Sequence, residues 1–324
     1  MRVLVTGGGG FIGSHLTEAL LERGDEIVVV DDFSTGQRSN LDGLRTHPNL
    51  TLHAADFGDP SLVAKVCEGV DRVYHLAAAV GVALIAKHPM QSIQRNIYPT
   101  QLLLDVLREH YQRGLTPSLF LASTSEVYGK NPKSIWSEGD DLVFGATTKP
   151  RWSYGASKAI DEFLCLANVR ECDMKIVIGR FFNVVGPRQT GAYGMVLPRF
   201  VSAAMAGKPL IVHDDGHQER CFAHVQDVIG GVMQLMNTPD AYGKIYNIGS
   251  DRPISILEMA RRVIAIVNPQ ATIQFQSYAE AYDDDFEDIR RRVPDLSRIR
   301  KAIGYAPKMD LDAIIRDVWR AMQG

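Results

Sequence analysis

The chain has 324 residues, a net charge of −3, and 45% hydrophobic and 23% charged residues. This length suffices for one large or two smaller domains, and the small net charge offers no global field that would attract nucleic acid or an anionic membrane. No apolar run approaches the roughly 20 residues that span a bilayer, and no signal peptide precedes the first strand-like segment, so we predict no nucleic-acid partner, no membrane partner and a cytoplasmic location.

Short apolar runs alternate with amphipathic runs through the first half of the chain. Strands are predicted at residues 2–7, 26–32, 50–56, 71–78, 118–124 and 174–183. Helices are predicted between them, including residues 14–24, 91–112 and 154–170. This alternation is typical of βαβ units. We therefore predict an α/β fold with a Rossmann-type, doubly wound parallel sheet.

The alternation weakens after about residue 185, where segments rich in Gly, Pro and Asp occur. A helical pattern at 223–236 resembles the helices of the first half. We predict a main domain over 1–185 with a return segment near 223–250, and a smaller, mixed substrate-binding lobe over most of 186–324. The acidic run Asp283–Asp285 is compatible with a lid and with a solvated turn, and the sequence does not choose between them.

The four cysteines show no pairing typical of a redox motif or a zinc site. They are Cys67, Cys165, Cys172 and Cys221. We predict that all four are reduced and structural, and that the chain binds no metal.

A glycine-rich stretch lies between the first predicted strand and helix. Gly7, Gly10 and Gly13 form a GxxGxxG pattern, which allows backbone N–H groups to approach a pyrophosphate at a helix N-terminus. Asp31 ends the second predicted strand, where its carboxylate would bind ribose hydroxyls and repel a 2′-phosphate. NAD is therefore the predicted cofactor. Asp56 and Phe57 are expected to flank the adenine, although Asp56 could also be a simple cap at a strand end.

Tyr154 and Lys158 lie one helical turn apart in a YxxxK pattern. A lysine ammonium beside a phenol lowers the phenol pKa, so a tyrosinate can act as a base near neutral pH. A cluster of hydroxyls that includes Thr124 and Ser125, followed by Glu126, ends the predicted strand 118–124 upstream. These features predict the edge of a catalytic pocket.

In this order, the motifs resemble the extended short-chain dehydrogenases/reductases that act on nucleotide sugars as epimerases, dehydratases and decarboxylases. The resemblance is carried by TGGGGFIG, DDFSTG, HLAA, STSEVYG, YGASK, RFFNVVGPR, DDGHQERCFAHVQD and YNIGS. It implies that Thr124 polarises the sugar O4 and that Tyr154 is the base. It also implies that Lys158 supports Tyr154 on the nicotinamide ribose and that Asn96 organises the active-site backbone.

The same resemblance implies the binding residues and a homodimer formed through the helices 91–112 and 154–170. The expected NAD-binding residues are Gly7, Gly10, Phe11, Ile12, Gly13, Asp31, Asp32, Asp56, Phe57, Leu76, Ala77, Ala78, Asn96, Tyr154 and Lys158. The expected substrate-binding residues are Ser125, Asn183, Arg188, Arg220 and Arg292. A UDP-sugar carries two phosphate charges, for which loop arginines are suitable ligands.

The residues after Thr124 distinguish the reactions of this family, which begin with oxidation at C4 by NAD. The 4,6-dehydratases carry Asp-Glu there, whereas this chain has Ser125-Glu126 and lacks the acid for the leaving hydroxyl. Simple 4-epimerases usually carry small or neutral residues. Ser-Glu resembles the UDP-glucuronate decarboxylases, in which an unfavourable contact between glutamate and the substrate carboxylate can favour loss of CO2.

Two further stretches resemble a decarboxylase: KPRW at 149–152, and DFEDIRRRVPD at 285–295 with Arg292. The first could instead be a loop anchored by a buried Trp152, and related epimerases carry a similar Arg292–Asp295 element. We predict decarboxylation of UDP-glucuronate to UDP-xylose, or to the 4-keto pentose if NADH is released. Epimerisation of UDP-glucuronate or UDP-glucose at C4 stays open, as does a non-catalytic NAD-binding regulatory module.

Overall fold

The computed structural model of the chain describes residues 1–79, 89–191, 195–281 and 289–323. The strands are β1 (Arg2–Thr6), β2 (Glu26–Val30), β3 (Leu50–His53), β4 (Arg72–His75), β5 (Ser118–Thr124), β6 (Ile176–Phe181), β7 (Val184–Val185), β8 (Leu210–His213), β9 (Glu219–Cys221), β10 (Ala223–His224), β11 (Lys244–Ile248), β12 (Pro253–Ser255), β13 (Ile273–Gln276) and β14 (Arg291–Arg292). The helices are α1 (Phe11–Glu22), α2 (Pro60–Cys67), α3 (Pro89–Gln112), α4 (Trp152–Cys172), α5 (Val196–Met205), α6 (Val225–Leu235), α7 (Ile256–Val267), α8 (Tyr278–Ala281), α9 (Ser297–Ile303) and α10 (Leu311–Gln323).

Among the described residues, no helix is long and apolar enough to cross a membrane. The acidic run Asp283–Asp285 lies outside these residues.

Seven parallel strands form the central sheet in the order β11-β6-β5-β4-β1-β2-β3. The chain order reverses between β1 and β4, which is where doubly wound sheets bind ligands at the carboxyl ends of their strands. These inner strands are buried on both faces, which explains why they are apolar without alternation. The predicted Rossmann-type α/β fold is confirmed.

Several predicted boundaries differ from the observed ones on the cavity side of the sheet. The strands predicted over 26–32, 50–56 and 71–78 end at Val30, His53 and His75. The residues that follow form loops at the carboxyl edge, although single backbone hydrogen bonds to neighbouring segments continue at Asp31 and Leu76. Helix α1 begins at Phe11, three residues before the predicted start, because Gly10 is already its N-cap.

Two apolar layers cover the two faces of the sheet. Helices α1, α6 and α9 pack on one face, and α2, α3 and α4 pack on the other. A separate apolar cluster lies among α5, α7, α10 and β8. The division into a nucleotide-binding domain and a substrate lobe stays a prediction. The four cysteines are free thiols, and burial raises the pKa of Cys67 and Cys221 to about 12.

A buried ion pair fixes helix α4 against the sheet. Arg180 on β6 donates from Nε to Glu162 Oε1 at 2.9 Å and from Nη2 to Oε2 at 2.7 Å. The Ser123 hydroxyl on β5 donates to the same carboxylate. The Arg180 guanidinium also lies over the ring of Tyr128, 4.7 Å from its centroid. The position of α4, which carries Tyr154, therefore depends on Glu162.

Replacing Glu162 with Gln should lower the free energy of unfolding by about 3–5 kcal/mol, because Arg180 would stay buried without its counter-charge. Denaturant unfolding of the two proteins measures this difference. The control is Asp312→Asn, since Asp312 forms an exposed pair with Arg262 at 3.1 Å and such pairs contribute about 1 kcal/mol or less. Equal effects of the two substitutions would contradict the prediction.

Candidate active site

A cavity of about 600 Å³ opens at the carboxyl edge of the sheet. Most of the residues predicted from the sequence line it. These are Gly7, Gly10, Phe11, Ile12, Gly13, Asp31, Asp32, Asp56, Phe57, Leu76, Ala77, Ala78, Thr124, Ser125, Glu126, Tyr154, Asn183, Arg188, Arg220 and Arg292. Lys158 and Asn96 lie behind the wall of the cavity, both almost completely buried.

The glycine-rich loop has the geometry of a dinucleotide site. Gly7 has a φ of +72°, and a Cβ on it would lie 2.8 Å from the backbone nitrogen of Ala77, so only glycine allows this approach. A Cβ on Gly13 would overlap the carbonyl oxygen of Gly7. Helix α1 begins at this loop with no side-chain cap and no acidic residue in its first turn. Its first N–H groups can therefore bind a pyrophosphate, and the residues present fit NAD.

Acidic residues follow β2 and β3 at the edge of this cavity. Asp31 accepts hydrogen bonds from the N–H of Gly9 at 2.7 Å and the N–H of Phe33 at 2.8 Å. Burial raises the pKa of Asp31, and these backbone hydrogen bonds oppose the shift. The carboxylate is thereby fixed beside the glycine loop. Asp56 accepts from the N–H of Gly58 at 2.8 Å and also lines the cavity, so capping and ligand binding are compatible for it.

Thr124 and Tyr154 meet at the centre of the cavity wall. Thr124 ends β5 and accepts a hydrogen bond from the N–H of Glu126 at 3.2 Å, which starts a short 3-10 turn. The Thr124 hydroxyl is close enough to the Tyr154 phenol to oppose the rise in its pKa. Gly155 allows the close approach, because a Cβ there would overlap the Glu126 backbone. A phenol and a hydroxyl are therefore placed near each other at the cavity wall.

The phenol of Tyr154 is not acidified in the protein by itself. Burial raises its pKa well above the usual value, and the negative charge of Glu126 raises it further. The effect of Lys158 on this pKa in the presence of NAD stays a prediction. In the protein alone, the Lys158 ammonium is bound by Asp161, with 2.8 Å between Nζ and Oδ2.

Asn96 organises the backbone beside the cavity. Its Oδ1 accepts a hydrogen bond from the N–H of Ala79 at 2.7 Å, and its Nδ2 donates to Ser157 Oγ at 3.3 Å. Asn96 lies on α3, Ser157 on α4, and Ala79 in the loop after β4. One buried amide therefore connects all three segments that surround the predicted nicotinamide position.

Glu126 lies between two guanidinium groups. Arg292 Nη2 is 2.6 Å from Oε1, and Arg151 Nη2 is 3.6 Å from Oε2. Burial by itself would raise the pKa of Glu126, but the charges of Arg292 and Arg151 outweigh burial and hold the pKa below its usual range. Glu126 is therefore held in its ionised form beside two arginines, and its unfavourable contact with a substrate carboxylate stays a prediction.

The other predicted substrate residues have protein partners at the cavity wall. Arg188 Nη2 donates to Glu18 Oε2 on α1 at 2.8 Å. Arg220 lies opposite Arg292 in the parallel register of β9 and β14. Asn183 Nδ2 donates to the carbonyl oxygen of Cys221 at 3.0 Å. Their predicted contact with a diphosphate stays a prediction.

Sequence analysis missed two residues of the site. Arg151 appears there only as a letter of KPRW, although Trp152 next to it is indeed buried. The 5.2 Å between the Arg151 guanidinium and the Trp152 ring shows that the tryptophan supports this arginine. Asp161 lies three residues beyond Lys158, a spacing at which helical side chains meet, and this signal was available in the sequence.

Gly13→Ala should weaken NAD binding, because the added methyl group displaces the loop from the start of α1. Overpacking of about 1–3 kcal/mol corresponds to roughly tenfold or more in the dissociation constant. The matched control is Gly43→Ala, whose Cβ would have no atom within 4 Å. Calorimetric titration of both variants with NAD measures the two dissociation constants. Equal constants would contradict the conclusion that the glycine-rich loop needs Gly13 to bind NAD.

Comparisons with known proteins identify similar enzymes that act on nucleotide sugars. The sequence model of the family described as GDP-mannose 4,6 dehydratase matches residues 4–318. The chain is 34% identical to UDP-N-acetyl-alpha-D-glucosaminuronate decarboxylase of Bacillus cytotoxicus over 317 residues, which cover 98% of this chain and 96% of the relative. It is 33% identical to UDP-glucuronic acid decarboxylase 1 of Arabidopsis thaliana over 314 residues, which cover 96% of this chain and 67% of the relative.

A solved structure of similar fold is the UDP-glucuronic acid 4-epimerase from Bacillus cereus, in complex with UDP-glucuronic acid and NAD. The two superpose with a TM-score of 0.88 at 28% identity, and the match covers 100% of this chain and 99% of the other.

Proposed function

The chain belongs to the GDP-mannose 4,6-dehydratase family of extended short-chain dehydrogenases/reductases, which is NAD-dependent, and we propose that it oxidises a UDP-hexuronate at C4 and then decarboxylates it. Its relatives support an NAD-dependent UDP-sugar enzyme. The proposed conversion is UDP-glucuronate to UDP-xylose. The observation that carries this proposal is the position of Glu126 between Arg151 and Arg292.

This cluster suits an acidic sugar. The guanidinium groups of Arg151 and Arg292 lie within 4 Å of the Glu126 carboxylate at the wall next to Thr124, and the charge of Arg220 also acts on it. Arginine binds carboxylates through paired, charge-assisted hydrogen bonds. A C6 carboxylate would therefore find a favourable partner here, whereas the hydroxymethyl group of a neutral hexose has no need of one. The arginine side chains next to Glu126 favour a UDP-hexuronate over UDP-glucose as the substrate.

The catalytic roles follow from the contacts of Thr124 and Tyr154. Bound NAD supplies the acceptor for the C4 hydride and returns it later. Thr124 orients the sugar O4 by hydrogen bonding. The positive charge of a bound nicotinamide would favour the ionised form of Tyr154, and the tyrosinate then accepts the O4 proton. The sugar is then a β-keto acid, whose C5–C6 bond breaks with release of CO2 while the electron pair moves through C5 toward the C4 carbonyl. The resulting enolate takes up a proton at C5 from water, which restores the C4 ketone to which the hydride is returned. Arg151 and Arg292 hold the carboxylate in place until it leaves as a neutral molecule.

The neighbouring residues argue against the other reactions. Ser125 stands where the family's 4,6-dehydratases carry an acid, so the chain lacks a proton donor for a leaving hydroxyl. The two curated relatives bear the name decarboxylase, whereas the solved neighbour is a 4-epimerase. Epimerisation of the same hexuronate is therefore the second candidate. The presence of both Thr124 and Tyr154 on the cavity wall argues against a non-catalytic NAD-binding module.

Incubation of the protein with UDP-glucuronate and NAD, followed by proton NMR, should give a UDP-pentose with release of CO2. A parallel reaction with UDP-N-acetylglucosaminuronate tests whether the pocket prefers an acetamido group at C2. UDP-galacturonate with its carboxylate retained would show an epimerase and refute the decarboxylation. Tyr154→Phe is the control, and it should abolish either product.

Replacing Arg151 with Gln should weaken the binding of UDP-glucuronate more than that of UDP-glucose. The loss of a charge-assisted hydrogen bond costs about 1.5–3 kcal/mol, and Glu126 would regain part of its repulsive charge. Calorimetry with both nucleotide sugars measures the ratio of the two affinities, and UDP-glucose, which lacks the carboxylate, is the internal control. If the substitution weakened the binding of UDP-glucuronate and UDP-glucose equally, Arg151 would have no role in the recognition of the C6 carboxylate.

A further inference from the structure

We propose that Asp161 is a positioning residue that fixes the ammonium group of Lys158 and keeps it protonated for contact with the ribose of NAD. This inference rests on the NAD dependence of the family and on the predicted role of Lys158. It is independent of whether the sugar is decarboxylated or epimerised.

The contact between the two residues is direct and enclosed. Lys158 Nζ lies 2.8 Å from Asp161 Oδ2, and the two side chains are 2% and 0% exposed. They are three residues apart on α4, so they share one face of the helix. A buried ammonium loses its proton readily unless a counter-charge stabilises it. Asp161 supplies that charge at the place where Lys158 has almost no water.

Within the described part of the chain, Lys158 is the cation that forms an ion pair with Asp161. Its second oxygen, Oδ1, is buried and has no hydrogen-bond partner among the described residues. The adjacent carboxylate, Glu162, is held by Arg180 and Ser123 and faces the sheet. The charge of Asp161 is therefore directed to Lys158.

A series of contacts between buried polar groups connects Lys158 and Asp161 to the loop after β4, which contains Ala77. The N–H of Ala77 donates to Thr6 Oγ at 3.1 Å, and Thr6 Oγ lies 2.8 Å from His75 Nδ1. His75 Nε2 lies 3.2 Å from Thr100 Oγ. The Thr100 hydroxyl is close enough to Asp161 to lower the pKa of its carboxyl, although burial raises that pKa overall. Strands β1 and β4 and helix α3 thus all contribute to the setting of Asp161.

The other titratable groups that the structure describes around Lys158 are neutral or are paired with other residues. His75 on β4 is neutral, because burial and the nearby Lys158 charge lower its pKa to about 3. Tyr154 and Cys165 on α4 are neutral as well, because burial raises the pKa of each. Glu126, beyond Tyr154, is paired with its two arginines. On α3, the residues at this position are the uncharged Thr100 and Asn96.

The decisive variant is Asp161→Asn, which keeps the shape of the side chain and removes its charge. The full chain, freed of nucleotide, is titrated with NAD by calorimetry from about pH 6 to about pH 9. Removal of the counter-charge lowers the pKa of a buried lysine by up to several units. The affinity of Asp161→Asn should therefore fall about tenfold or more with rising pH relative to the unmodified protein. Asp161→Glu, which retains a carboxylate, should restore most of the affinity at high pH.

The matched control is Asp25→Asn. Asp25 is also buried and paired, 2.6 Å from Arg23 Nη2, but it precedes β2 at the opposite edge of the sheet. This variant should follow the pH dependence of the unmodified protein. A purely structural role for Asp161 would weaken NAD binding equally at every pH.

Parallel curves for Asp161→Asn and the unmodified protein would therefore overturn the proposal. If Asp161→Asn does not fold, Asp161→Ser replaces it as the neutral variant. A loss of NAD affinity with rising pH would again support the proposal, and a curve parallel to that of the unmodified protein would again overturn it. The measurement contains no sugar, so its failure would leave the proposed decarboxylation intact.

Discussion

The parallel register of the central sheet is the constraint on which the site depends. It places Thr6 of β1 beside His75 of β4, and Thr124 of β5 beside Phe181 of β6. The carboxyl ends of these strands therefore open into one cavity, although their residues are far apart in the chain. The glycine loop, the loop after β4 and the Thr124 turn become neighbours only because the strands run in the same direction.

Around this edge, charge is buried in pairs, as the low polarity of the interior requires. Glu162 with Arg180 holds α4 in place, and Asp161 with Lys158 lies deeper along the same helix. Both pairs are almost fully enclosed. Glu126 differs because its partners line the cavity, where the substrate carboxylate of the proposed function would compete for them. The two enclosed pairs at α4 form a fixed framework. Glu126 and its two arginines, here called the exchangeable cluster, lie beside the neighbouring 3-10 turn.

The exchangeable cluster is where members of one fold can diverge in reaction. The backbone superposes closely on that of a 4-epimerase, while the curated relatives are decarboxylases. The fold and the Thr124–Tyr154 pair therefore do not choose between these reactions. Under the proposed function, the choice depends on what surrounds C5 and C6 of the sugar, where we place Ser125, Glu126, Arg151 and Arg292.

The sequence by itself determined the elements, the glycine loop and the YxxxK pair, because periodicity and short spacings are local properties of the chain. Its strand ends were less accurate, since pairing with neighbours decides where a strand stops. Only the tertiary structure showed that Arg151 and Arg292 neutralise Glu126 and that Arg188 binds Glu18. These contacts join distant segments, and burial then sets the pKa of groups such as Tyr154. The sequence provides the charges, and the packing decides which of them meet.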